Sequence, residues 1–75
     1  MWTIDELINI LKSIKEENKD YDVEIHNMNF SIDSEASIVT IKYVLINKKG
    51  HIFEREVTFK DDWISNKCYK IRYLL

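Results

Sequence analysis

The sequence contains a single cysteine, two histidines, one glycine and no proline. Because Cys68 has no partner cysteine, no disulfide can form within the chain, which is typical of proteins in reducing compartments. A structural zinc site usually draws four Cys or His ligands at close spacing, and His26, His51 and Cys68 are too few and too scattered for one. One glycine also excludes a glycine-rich phosphate-binding loop. The sequence therefore predicts no metal and no cofactor.

Long apolar runs are absent as well. The apolar residues near the N-terminus are interrupted by Asp5, Glu6 and Asn9, and no basic segment precedes them. A membrane-spanning helix needs about 20 mainly apolar residues, and a signal peptide needs a basic start and an apolar core. Neither pattern is met, so the sequence predicts no membrane contact and a cytoplasmic protein.

Groupings that would indicate an enzyme are also missing. No Ser–His or Cys–His signature of nucleophilic catalysis occurs. The adjacent carboxylates Glu16–Glu17 and Asp61–Asp62 are explained by solvation and helix capping. With 75 residues, residues 1–75 form a single domain that buries about 60% of the unfolded chain's surface. The sequence predicts a protein that binds and is not an enzyme.

The first element that the sequence predicts is an amphipathic helix over about residues 4–17. Thr3, followed three residues later by Glu6, makes a capping box at its start. Apolar residues at helical spacing predict one buried stripe. The stripe consists of Ile4, Leu7, Ile8, Leu11 and Ile14.

Extended structure follows the helix. Apolar residues alternate with acids from Tyr21 to Ile25 and then, one residue out of phase, recur from Met28 to Ile32. A phase change of one residue predicts a β-bulge near His26–Asn27.

The strongest strand pattern is at 38–46, and a loop with Gly50 at positive φ leads from it to a strand over 51–60. The core faces predicted for these two strands consist of Val39, Ile41, Tyr43 and Leu45, and of Phe53, Val57 and Phe59.

The last segment fits two patterns. Ile64, Cys68, Ile71 and Leu75 are spaced as on a helix, whereas Tyr69, Ile71, Tyr73 and Leu75 alternate as in a strand. A helix is slightly favoured, because the first helix alone would cover a three-stranded sheet incompletely. The predicted fold class is α+β, with an N-terminal helix, a three-stranded antiparallel sheet and a C-terminal helix; a fourth strand is the alternative.

Charge is distributed unevenly, although the net charge is only −2. Most acids precede position 38 and most basic residues follow it. Clustered carboxylates can occupy a basic groove on another protein, including one built for DNA phosphates. The simpler interpretation is that these acids solvate strand edges and turns. The candidate partner-binding residues are Asp20, Asp22, Glu24, Asp33 and Glu35.

Basic and aromatic residues alternate near the C-terminus and indicate a different activity. Aromatic rings can stack on bases while basic groups neutralise phosphates. The negative net charge argues against direct nucleic-acid binding. The simpler interpretation is that these basic residues solvate the outer face of the segment. The candidate residues for this alternative are Lys67, Tyr69, Lys70 and Arg72.

Two short segments resemble a known family. Ile4–Ile8 (IDELI) and Asn18–Tyr21 (NKDY) with Val23, then a strand from Ser37–Ile38 and a hairpin with Gly50, are similar to small phage-encoded anti-CRISPR proteins that inhibit Cas9. The resemblance covers roughly the first two-thirds of the chain. It implies a helix, a three-stranded antiparallel sheet and further helix, and inhibition by acidic side chains that imitate DNA. The C-terminal half departs from the family, because it is basic here.

Together these patterns predict a non-enzymatic protein-binding module that inhibits a host-defence nuclease in the cytoplasm of the host cell. The expected partner is a CRISPR nuclease or another nucleic-acid enzyme. The alternative is a small nucleic-acid-binding or transcription-regulating domain. Exposed strand edges and a small core also make a homodimer a third reading.

Overall fold

The structure, a computed structural model, describes residues 2–32, 36–62 and 67–73, with side chains described up to Asp61. Helix α1 spans Ile4–Glu17 and is followed by the strands β1 (Asp22–Ile32), β2 (Ala36–Ile46), β3 (Ile52–Asp62) and β4 (Lys67–Tyr73). In these described ranges the strands form one antiparallel sheet in the order β1-β2-β3-β4. Among the described residues, no helix has the length and apolarity to cross a membrane.

The predicted α+β class is confirmed, with the N-terminal helix and the three antiparallel strands that follow it. Over Lys67–Tyr73 the structure has strand β4, which is the alternative to the favoured C-terminal helix. All seven residues of β4 pair with β3, from Lys67 opposite Asp62 to Tyr73 opposite Glu56. This pairing satisfies N–H and C=O groups that β3 would otherwise present at an open edge. Ile64 and Leu75, the ends of the predicted helical stripe, lie outside the described residues.

Helix α1 begins with the capping box that the sequence predicts. The Thr3 hydroxyl oxygen accepts a hydrogen bond from the Glu6 N–H, and the Glu6 carboxylate accepts one from the Thr3 N–H, both at 3.1 Å. Two of the N–H groups that lack partners within the helix are satisfied in this way. At the other end, the Asn18 side-chain amide donates to the Ile14 carbonyl at 2.8 Å.

Replacing Thr3 by Ala is expected to lower the free energy of unfolding by about 1 kcal/mol, because the Glu6 N–H loses its acceptor. Asn9→Ala is a matched control at an exposed position within the same helix, where alanine favours helix slightly. Urea unfolding followed by circular dichroism measures both. Equal stability of the two variants would show that the capping box contributes nothing.

The core lies between α1 and one face of the sheet. Ile10 and Ile14 of the helix are buried against Val39, Ile41, Tyr43 and Leu45 of β2 and against Val57 and Phe59 of β3. The predicted core face of β2 is therefore confirmed. On β3, Val57 and Phe59 are buried as predicted, but Phe53 is 37% exposed.

The predicted helix stripe is correct only in part. Ile14 is buried and Leu11 packs against the core, but Ile4 and Ile8 are exposed, and Ile10 is buried although it was not in the stripe. The apolar surface of α1 is wider than its contact with the sheet, so one flank of it remains in solvent.

The predicted bulge and the positive φ of Gly50 are both confirmed. Pairing between β1 and β2 shifts register between Ile25 and Asn27, which leaves His26 as the extra residue. Gly50 has a φ of 83°. In the same loop, the Asn47 side-chain oxygen accepts hydrogen bonds from the N–H groups of Lys49 and His51, both at 2.9 Å.

Candidate protein-binding edge

Strand β1 forms one edge of the sheet. Within the part of the chain that the structure describes, β1 pairs with β2 alone, so its outer backbone N–H and C=O groups are open to solvent. Natural proteins usually protect such an edge with charges, prolines or bulges, because it can pair with another strand. The bulge at His26 divides β1 into an acidic half, Asp22–Ile25, and an uncharged half, Asn27–Ile32.

The helix covers only part of β1. Leu11 and Ile14 line a shared cleft with Tyr21, Val23 and Ile25, so α1 runs back along the strand from the turn that joins them. At 1.5 Å per residue, the 14 residues of α1 span about 21 Å. The 11 residues of β1 span about 36 Å. The second half of β1 therefore extends beyond the helix.

The acidic half presents its carboxylates to solvent. Asp22 and Glu24 are exposed on the strand, and Asp20 is exposed in the turn before it. Their register partners on β2 are Ile46 and Val44, which places them on the face of the sheet away from α1. Glu24 lies 3.7 Å from the His26 imidazole, a contact that becomes an ion pair only when the histidine carries a proton. Both groups are well exposed, so this contact contributes little stability.

Positive charge lies near two of these exposed acids. Asp20 shares a shallow cleft with Lys48, Lys49 and His51 of the loop between β2 and β3. Asp22 likewise shares a cleft with Lys15 of α1, whereas Glu24 is exposed beside His26.

Two of the predicted partner-binding acids, Asp33 and Glu35, lie outside the described residues. Their neighbours in sequence, Ile32 and Ala36, are at the far end of β1 and at the start of β2. Ile32 is about 33 Å from Asp22 along the strand. The five predicted partner-binding acids are close together in sequence, but this alone does not place them on one surface.

The uncharged half of β1 carries exposed apolar side chains. Phe30 is 55% exposed and Ile32 is 67% exposed, although their register partners, Val39 and Ser37, are both buried on the helix side of the sheet. Met28, closer to the bulge, packs against the core. A helix shorter than β1 accounts for this exposure, because it cannot extend over the whole strand.

A flank of α1 carries further exposed apolar side chains. Ile4, Ile8 and Leu11 are spaced i, i+4 and i+7 and so share one side of the helix. Leu11 lines the cleft beside β1, which shows that this side faces β1. Ile4 is 77% exposed and Ile8 is 43% exposed. We define Ile4, Ile8, Phe30 and Ile32 as the apolar edge patch.

Sequence reasoning missed the apolar edge patch because alternation and helical spacing assign all four residues to a core. A length comparison would have found it, since a helix of 14 residues cannot cover a strand of 11.

The residues proposed for nucleic-acid binding lie on β4, at the other edge of the described sheet. In register, Lys67 and Tyr69 are opposite Asp62 and Lys60, whereas Lys70 and Arg72 are opposite Phe59 and Val57. Alternate residues of a strand belong to opposite faces of a sheet. The strand therefore places these four positions on two faces and does not gather them on one.

Among the described residues, no group of three or more His, Cys, Asp or Glu side chains is close enough together to hold a metal ion. No protein-family model, curated protein or solved structure matches this chain. Its function must therefore be inferred from its own surface.

Proposed function

We propose that this protein is a non-enzymatic binding module whose acidic half of β1 docks into a basic groove on another protein. The observation that carries the proposal is the exposure of Asp22 and Glu24 on an edge strand. An edge strand offers backbone hydrogen-bonding groups, and carboxylates beside it select a basic partner. The proposal also includes Asp20, Asp33 and Glu35, which belong to the same acidic region of the sequence.

The class of partner follows from the charge. A groove that binds nucleic acid is lined with Lys and Arg, and carboxylates at similar spacing can occupy it in place of phosphates. An enzyme that acts on nucleic acid, in particular a host-defence nuclease, is therefore the proposed target. The resemblance to Cas9-inhibiting proteins of phages supports the same assignment. In this role the protein acts as an inhibitor encoded by a phage or mobile element.

Reversing two charges on β1 is the test. Asp22→Lys with Glu24→Lys is expected to weaken binding to the target at least tenfold, about 1.4 kcal/mol, because two attractive contacts become repulsive. Asp5→Lys with Glu16→Lys makes the same change in net charge at exposed positions of α1 and should leave the affinity within about twofold. Both variants should unfold at the same urea concentration as the wild type.

The target is first captured with the tagged protein from a host lysate treated with nuclease, then purified for titration and for a DNA-cleavage assay. Inhibition of cleavage by the wild type, lost in the β1 variant and kept in the α1 variant, supports the proposal. Unchanged affinity of the β1 variant would reject the acidic half as the binding surface. Loss of every partner after nuclease treatment would instead favour nucleic-acid binding through Lys67, Tyr69, Lys70 and Arg72.

A further inference from the structure

We propose that two copies of this chain form a symmetric dimer in which Met28–Ile32, within the uncharged half of β1, pairs antiparallel with itself about Phe30. The four described strands of each copy would then join in one continuous sheet. This inference does not depend on the acidic half of β1 or on any target.

The uncharged half is complementary to itself. Pairing about Phe30 places Phe30 opposite Phe30 of the second copy and Met28 opposite Ile32, all at positions on the helix side of the sheet. On the other side, Asn29 is opposite Ser31. No charged residue occurs between Asn27 and Ile32, so no like charges face each other.

The acidic half is unsuited to the same pairing. Asp22 and Glu24 of two copies would approach along the new edge with like charges, and the bulge at His26 increases the local twist of the strand. The segment Asn27–Ile32 contains no carboxylate that a basic partner could contact. The charge pattern of β1 therefore selects a second copy of the chain for this half.

The apolar edge patch supplies further surface to the dimer. A two-fold axis perpendicular to the sheet keeps both α1 helices on one side, so the flanks with Ile4 and Ile8 face each other across the axis. A stable dimer buries about 1,200–2,000 Å² in total, which is more than a short pair of strands provides. The exposed side chains of the four patch residues are the apolar surface available to make up the difference.

Such a dimer would hold its two acidic halves far apart. Asp22 is eight residues from Phe30, or about 26 Å along each strand, so the two Asp22 residues would be about 50 Å apart. The dimer would then present two acidic ends that point in opposite directions.

The mass in solution tests the proposal. Sedimentation over a wide range of protein concentrations should show a dimer for the wild type, and Ile32→Lys should raise its dissociation constant at least about tenfold, because each lysine is placed opposite Met28 of the other copy. Ile52→Lys is the matched control, since Ile52 is 63% exposed on β3 and Ile32 is 67% exposed. It should dimerise as the wild type does.

A cross-link tests the register. With Cys68 replaced by Ser, Phe30→Cys should form a disulfide-linked dimer on oxidation, because directly opposite residues of antiparallel strands have Cβ atoms about 4.5–5.5 Å apart. Asp22→Cys in the same background should not cross-link. Circular dichroism establishes that each variant is folded.

Three results would overturn the proposal: a monomeric wild type at every concentration, a dimer that Ile32→Lys does not weaken, or cross-linking at Asp22 but not at Phe30. A monomeric wild type would leave a strand from a different protein as the occupant of this edge.

Discussion

Replacing Ile41 by Ala is expected to lower the free energy of unfolding by about 2–5 kcal/mol, through lost apolar burial and the cavity left behind. Ile41 has no exposed surface and lies in β2 between its register partners Met28 and Val57. A domain of 75 residues has a total stability of roughly 4–11 kcal/mol, at about 0.05–0.15 kcal/mol per residue. The substitution therefore removes a large share of what keeps the protein folded.

Ile52→Ala is the control for this loss. The same atoms are removed on the neighbouring strand from a side chain that is 63% exposed, so the expected change is within about 0.5 kcal/mol. Urea unfolding followed by circular dichroism compares the two variants. Losses of similar size would mean that the interior does not lie where the structure places it.

Replacing Ile14 by Asp is expected to cost more than about 4 kcal/mol, because it removes apolar contacts and buries a carboxylate without a partner. Ile14 is 2% exposed, and Ile10 and Ile14 are the two buried residues of α1. The helix should separate from the sheet and expose the core face of β2. Increased binding of a hydrophobic dye, together with a lost or broadened unfolding transition, would show this.

Ile4→Asp places the same residue on the same helix at an exposed position. A carboxylate in the first turn interacts favourably with the helix dipole, so stability should be unchanged or rise by about 0.3–1 kcal/mol. Wild-type unfolding of Ile14→Asp would contradict the docking of α1 through Ile14. A large loss in Ile4→Asp would contradict the exposure of Ile4.

The features that could be predicted from sequence depend on residues close together in the chain. The capping box needs only Thr3 and Glu6, and the bulge follows from a phase change within β1. The positive φ of Gly50 follows from a loop between two alternating segments. The core face of β2 follows from its own alternation, because its four predicted residues are all buried.

The candidate site was predicted less completely, for a physical reason. The exposed acids Asp20, Asp22 and Glu24 are evident in the sequence, but the apolar edge patch is not. Alternation assigns Phe30 and Ile32 to a face of β1, and it does not tell whether anything covers that face. The cover depends on where α1 lies and how far it reaches.

The last segment shows the same limit. Its pattern fits a helix and a strand, so local preference did not choose between them. The strand β4 forms because the edge of β3 is otherwise open. A strand that pairs there gains backbone hydrogen bonds along all of Lys67–Tyr73.

The class of fold, the first helix, the strand bulge and the core-facing residues of the central strand were all predictable from sequence, because each depends on short-range spacing. Which apolar residues stay exposed, and which strands lie at the edges, depends on how the elements pack together. Those outcomes depend on the relative lengths and positions of α1 and β1. The residue pattern within either element alone does not show them. The surface proposed here for binding and for dimerisation arises from that mismatch in length.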